Sequence, residues 1–202
     1  MSDGPPTPVK TVPPPGTRNG ICPVISPYRV GVQTVNSDTL ADMERKGDRE
    51  RVSSTVTHLR DFGLNYSLDH ILGLPGETKE TIEETIKFAT EINPHTIQVS
   101  LAAPYPGTFL HRQAVENGWL DADHAELVDE HGIQIAPLSY PHLAHTEIFD
   151  NVETFYKRFY FRAPKIAAIV GEMVRSPQMM KRRLREGVEF FQFLRERHKA
   201  AA

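Results

Sequence analysis

Asp69-His70-Ile71-Leu72-Gly73-Leu74-Pro75-Gly76-Glu77-Thr78 decides the fold. Its first half suits a buried strand, Gly73 to Gly76 suits a tight turn, and Thr78 suits the cap of a following helix. Gly73 and Gly76 would let backbone approach a ligand without a Cβ, and Pro75 fixes φ between them. In α/β proteins, ligands bind beyond the carboxyl ends of parallel strands. The turn is therefore a candidate ligand-facing wall.

The neighbouring segments repeat the pattern. Upstream, Tyr28, Val30 and Val32 alternate with Arg29, Gly31 and Gln33, as in a short strand. Asn36 opens a short helix through Met43, which Lys46-Gly47 ends. Asp48 is expected to cap a second helix with Val52, Val56 and Leu59 on one face, closed by Gly63. Tyr66 to Leu72 is the next strand. Thr78 to Ile92 places Ile82, Ile86 and Ala89 on one helical stripe, and Asn93-Pro94 stops it. Thr96 to Leu101 alternates as a third strand. It runs into the Pro/Gly turn Ala102 to Thr108, then a helix ended by Asn117-Gly118.

Strands alternating with helices imply a parallel sheet, and three strands are too few to close a barrel. The fold class expected is therefore α/β, an incomplete (β/α) barrel followed by a helical region. The expected organisation is a Pro-rich disordered leader over 1–27, a partial barrel over 28–118 and a mainly helical extension over 119–202. The leader holds eight of the 16 prolines and few apolar residues, too few to offset chain entropy. In the extension, residues 121–145 look irregular. Phe149, Val152, Phe155, Tyr156, Phe159 and Tyr160 form an aromatic stripe, more suited to a core or interface than to a cofactor box. Pro164 starts a helix with Ile166, Ile169, Val170 and Met173. Ser176-Pro177 opens a last one, apolar at Met180, Leu184, Val188, Phe191 and Leu194 and basic at Lys181-Arg182-Arg183.

Composition excludes several classes. A net charge of −3 argues against nucleic acid, and no apolar run approaches a membrane span. Cys22 is the single cysteine, so no intrachain disulfide, tetrahedral thiolate site or iron–sulfur cluster arises from these residues alone. His131, His142, His145 and Asp129 match no zinc spacing, and no metal ligand or catalytic residue is assigned.

The strand ends carry the chemistry. Gln33, Asp69, the turn Gly73 to Glu77 and the turn at Pro104 converge at three carboxyl ends. A ribose diol would satisfy Asp69, with the Gln33 amide beside it and the Gly-Leu-Pro-Gly backbone against a flat base. Equally, Asp69 could pair with Arg29 or cap a helix. His70 suits a hydrogen-bonded core histidine, and Glu77 a first-turn helix acid.

Gly31-Val32-Gln33-Thr34, Lys46-Gly47, Asp69 to Thr78 and Pro104-Tyr105-Pro106-Gly107-Thr108 occur in this order in radical SAM enzymes, which the chain resembles. They look like strands four to six of that family's (β/α)6 partial barrel. Gly-Val-Gln and Asp-x-x-x-Gly-Leu-Pro-Gly are similar to the oxygen-independent coproporphyrinogen oxidase branch. The family's usual strand-four glutamate is Gln33 here, which fits only that branch. Residues 92–108 and the tail from Gly118-Trp119 resemble more closely the cobalamin-type radical SAM protein of hopanoid biosynthesis. The resemblance implies S-adenosylmethionine binding, with Gln33 and Asp69 on the ribose and Gly73, Leu74, Pro75, Gly76 and Pro104 completing a partial site. It also implies a [4Fe–4S] cluster and cobalamin, whose ligands are absent from these residues.

The chain is thus expected to be the carboxyl half of such an enzyme, inactive alone. It would be a truncated product or one half of a split enzyme whose amino-terminal half is separately encoded. The competing expectation is a non-catalytic remnant that binds a nucleoside or a partner. The resemblance further implies a small-molecule or lipid-linked sugar substrate and a cytoplasmic location or one peripheral to the inner membrane.

Overall fold

The computed structural model describes residues 28–45, 49–120 and 138–175, together with 180, 181, 184, 185, 187 and 188. The proposed leader, the Lys46 to Asp48 boundary and the irregular stretch over 121–137 lie outside the described residues, as does most of the last helix.

The elements in order are β1 (Tyr28–Gln33), α1 (Ser37–Asp42), α2 (Arg49–Asp61), β2 (Tyr66–Leu72), α3 (Lys79–Ile92), β3 (Thr96–Leu101), α4 (Phe109–Glu116), α5 (His145–Tyr160) and α6 (Ala163–Arg175). The strands form one parallel sheet in the order β1-β2-β3. Three parallel strands with helices, followed by further helices, are the incomplete barrel that the alternation predicts.

Local chemistry sets the boundaries. Asn36 accepts a hydrogen bond from Thr39 N–H and starts α1. Thr78 and Thr81 exchange hydrogen bonds in a capping box at α3. Asn93, at φ 48°, ends α3 in the left-handed region, and Thr108 caps α4. The Ile82, Ile86 and Ala89 stripe of α3 is fully buried.

The core has two parts. Val32, Tyr66 and Leu68 pack with Val56 of α2 and Phe88 of α3. Leu72, Ile97, Val99 and Leu101 pack with α3 and with Ile148, Val152, Phe155 and Phe159 of α5. The aromatic stripe is therefore core, and α5 belongs to the same core as the sheet. Burying each such side chain contributes roughly 1.5–3 kcal/mol. The opposite face of the sheet presents Arg29, Gly31, Asp69 and Gln98 and is open: Arg29, Gly31 and Gln98 are exposed.

A half barrel leaves two parallel edges, and one of them is partly covered. Tyr156 Oη accepts from Val99 N–H at 3.0 Å, and Tyr160 Oη from Ile97 N–H at 3.3 Å. The outward amides of β3 thus find side-chain acceptors on α5. Most of the described apolar residues of the last helices are exposed, namely Ile166, Val170, Met180, Leu184 and Val188, while Ile169 and Met173 are half-buried. No described helix is long and apolar enough to cross a membrane.

Candidate functional site

On the open face, register pairs Gly31 with Asp69 and Asp69 with Gln98. Arg29 reaches across all three strands. Its Nε donates to Asp69 Oδ2 and its Nη2 to Gln98 Oε1, both at 2.8 Å. The hydrogen bond and charge of Asp69 raise the pKa of Arg29 further. Asp69 Oδ1 is buried and has no hydrogen-bond partner among the described residues. The Arg29 alternative for Asp69 is therefore realised, at one of its two oxygens.

Gln33 sits at φ 61°, beside a register shift between Gly31 and Gln33. Its side chain folds back over Gly31: a Cβ on Gly31 would lie 2.8 Å from Gln33 Nε2. The missing side chain of Gly31 is what admits the amide to the Asp69 face. Gln33 and Asp69, paired in the sequence argument, thus share one face of adjacent strands.

The turn is built differently from expectation. Gly73 and Gly76 take φ 80° and 76°, where glycine is unstrained. A Cβ on Gly73, however, would meet Ile148 Cγ2 at 3.1 Å. The close approach that Gly73 permits is to α5, not to a ligand-sized space. Leu74 and Pro104 are buried and Pro75 is partly buried. Ala102 N–H donates to Leu72 O at 2.8 Å, so Pro104 follows a strand end held beside the turn.

Glu77 is not a first-turn helix acid. It precedes the cap Thr78, is fully buried, and turns its carboxyl back under the loop. Oε2 accepts from Gly73 N–H at 2.7 Å and Leu74 N–H at 3.4 Å. Burial pushes its pKa up to about 7, against the opposing pull of these amides. Tyr140 Oη donates to Gly73 O at 2.8 Å, and His142 Nε2 lies 3.0 Å from Glu77 O. Burial and the Glu77 charge raise the Tyr140 pKa, so its hydroxyl stays a donor. The sequence carried no signal for the roles of Tyr140 and His142, which depend on a contact across more than sixty residues.

His70 also departs from expectation. It lies on the helix-facing side, 4.9 Å from the Phe155 ring, and neither ring nitrogen has a hydrogen-bond partner among the described residues. Burial pushes it down to about 3, only partly opposed by the nearby Gln33 carbonyl. It is a neutral core histidine rather than a hydrogen-bonded one. His145 opens α5 and is exposed. His131 and Asp129 lie outside the described residues. Among the described residues no cluster of three His, Cys, Asp or Glu side chains could hold a metal. A cavity of about 180 Å³ lies along the free edge of β1, lined by Val30, Val32, Gln33, Arg45, Arg49 and Val52 among others.

Residues 24–89 match the radical SAM superfamily. Over 65 residues the chain is 43% identical to an uncharacterized methyltransferase of Pyrococcus horikoshii, covering 32% of this chain and 14% of that protein. It is 36% identical over 89 residues to a ribosomal protein uS12 methylthiotransferase of Leptospira biflexa, 43% of this chain and 20% of that one. It is 30% identical over 99 residues to an oxygen-independent coproporphyrinogen III oxidase of Salmonella typhimurium, 48% of this chain and 22% of that one. The solved coproporphyrinogen III oxidase of Escherichia coli aligns with a TM-score of 0.47 at 22% identity, over 71% of this chain and 32% of that one. The chain therefore spans about a fifth or less of the length of these curated relatives. The stretch that matches the superfamily, residues 24–89, includes β1, β2 and the Asp69 to Thr78 turn.

Proposed function

We propose that the chain contributes the nucleoside wall of a radical SAM enzyme. Gln33 and Asp69 would hold the ribose of S-adenosylmethionine, and the backbone from Gly73 to Gly76 with Pro104 would line the base. The observation that supports this most is Asp69 Oδ1, a buried acceptor without a partner among the described residues, on the face that also receives the Gln33 amide. A carboxylate oxygen left so is costly unless a donor arrives, and a ribose hydroxyl is such a donor.

The residues fit the nucleoside and not the cluster. A [4Fe–4S] cluster takes three thiolates in this family, and the 202 residues hold one cysteine. The residues here bind and orient the nucleoside. The cysteines would come from amino-terminal sequence, encoded with this chain or separately. Hopanoid biosynthesis, cobalamin and a lipid-linked sugar substrate remain proposals that rest on resemblance, as does a location peripheral to the inner membrane.

Calorimetry tests the wall directly. S-adenosylhomocysteine should bind the 202-residue chain, and Asp69→Ala should abolish the heat. Identical, undetectable heats for both proteins would remove the nucleoside site and favour a partner-binding remnant.

A further inference from the structure

The backbone polar groups of the 73–77 turn named below are claimed from within the protein, while Glu77 Oε1 is buried without a partner among the described residues. Glu77 N–H donates to Leu74 O at 3.1 Å and closes the turn. The Glu77 carboxyl fills the inside of that loop and takes the Gly73 and Leu74 amides on one oxygen. Tyr140 takes the Gly73 carbonyl, and His142 meets the Glu77 carbonyl. Tyr140 is in turn held edge-on to Trp119 at 5.0 Å and stacked on His142 at 5.8 Å.

A carboxyl with no exposed surface is an expensive way to fill space, and a leucine would fill it more cheaply. What only an acceptor can do is hold two successive amides pointing inward. Amides held inward leave Pro75 and Gly76, the part of the turn that is not buried, apolar and fixed in shape, as a flat base requires.

We infer that Glu77 is a positioning residue, the internal template on which the Gly73 to Gly76 wall takes the shape offered to a nucleoside. The inference rests on the nucleoside reading above but is separable from it. Tyr140 and His142 form the outer half of the same clamp and couple the wall to the segment that leads into α5.

The test uses the 202-residue chain with Glu77→Ala, Glu77→Gln and Tyr140→Phe. Glutamine keeps one acceptor oxygen for both amides, and alanine removes it. Glu77→Ala should speed hydrogen exchange at the Gly73 and Leu74 amides at least tenfold and weaken S-adenosylhomocysteine at least tenfold, with the helical circular dichroism retained. Glu77→Gln should keep both within about threefold of the parent, and Tyr140→Phe should speed exchange at the turn less than Glu77→Ala. Parent-like exchange and affinity in Glu77→Ala would overturn the inference, and so would a Glu77→Gln chain that behaves like Glu77→Ala. Should Glu77→Ala fail to fold, a Glu77→Gln chain whose Gly73 and Leu74 amides exchange at least tenfold faster than the parent's still overturns the inference, and so does a Tyr140→Phe chain whose turn exchanges no faster than the parent's. A parent chain that binds no S-adenosylhomocysteine removes the nucleoside reading, while the exchange arm still tests the template.

Discussion

Arg29 Nε donates to Asp69 Oδ2 at 2.8 Å, while the other Asp69 oxygen lies buried without a partner among the described residues. The two side chains are 56% and 26% exposed, so solvent screens much of their attraction. A double-mutant cycle of Arg29→Ala and Asp69→Ala in urea denaturation should give a coupling of about 0.2–1 kcal/mol. Thermal stability should barely change on Arg29→Ala. A coupling above about 2 kcal/mol would mean that the pair is far more desolvated than the open face suggests.

Gly73 and Ile148 are the second testable pair. An alanine at Gly73 would hold a positive φ at a cost of about 1–2 kcal/mol and press against Ile148 Cγ2. Ile148→Ala alone opens a core cavity and should cost about 2–5 kcal/mol. The double variant should be less destabilised than the two singles added, because the new methyl enters the space that Ile148 leaves. Strict additivity, measured by chemical denaturation, would show that the strain at Gly73 is backbone alone.

Sequence periodicity exposed the local layer of this molecule well. Alternation in Tyr28 to Gln33 and Thr96 to Leu101, the Ile82-Ile86-Ala89 stripe, and the caps Asn36 and Thr78 depend on neighbours within a few residues. They stand in the structure as expected. The layer that sets the candidate site was hidden because it is non-local. Ile148 against Gly73 and Tyr140 on the Gly73 carbonyl join residues 75 and 67 positions apart in the chain. Nothing in Gly-Leu-Pro-Gly-Glu distinguishes an acid that folds back under its turn from one that faces a helix dipole. The burial of His70 without a partner was equally illegible, since alternation fixes a face and not a hydrogen bond.

Glu77 and His70 make opposite contributions to stability as pH changes. Folding lowers His70 from its ordinary 6.5 to about 3, so between these values the unfolded chain holds the extra proton and stability rises with pH. Folding raises Glu77 from 4.5 to about 7, so the folded chain holds the extra proton and stability falls as pH rises through that window. Each slope approaches about 1.4 kcal/mol per pH unit. They cancel between about pH 4.5 and 6.5 and leave a His70-driven loss below that range. Relative to the parent chain, His70→Met should gain stability steadily as pH falls from 6.5 to 4. Glu77→Gln should gain relative stability as pH rises from 4.5 to 7. Urea midpoints at pH 4, 5.5 and 7 check both signs. A His70→Met difference that is flat across these values would mean that His70 binds its proton equally in the folded and unfolded chains.

Tyr156 and Tyr160 stand where a half barrel is most exposed to unwanted pairing. Each hydroxyl accepts one outward amide of β3, and the two rings stack in parallel at 6.3 Å along α5. Phenylalanine keeps the packing and removes only the acceptor, so each single substitution should cost about 0.5–1.5 kcal/mol. The specific consequence lies at the strand edge. Tyr156→Phe should speed hydrogen exchange at Val99 and leave Ile97 nearly unchanged, and Tyr160→Phe should do the reverse. The double variant frees two successive outward amides, which is the pattern an added strand requires. It should therefore self-associate at protein concentrations where the parent chain does not, measured by light scattering or sedimentation. Faster exchange without association would show that the aromatic rings, rather than their hydroxyls, keep other strands from the β3 edge.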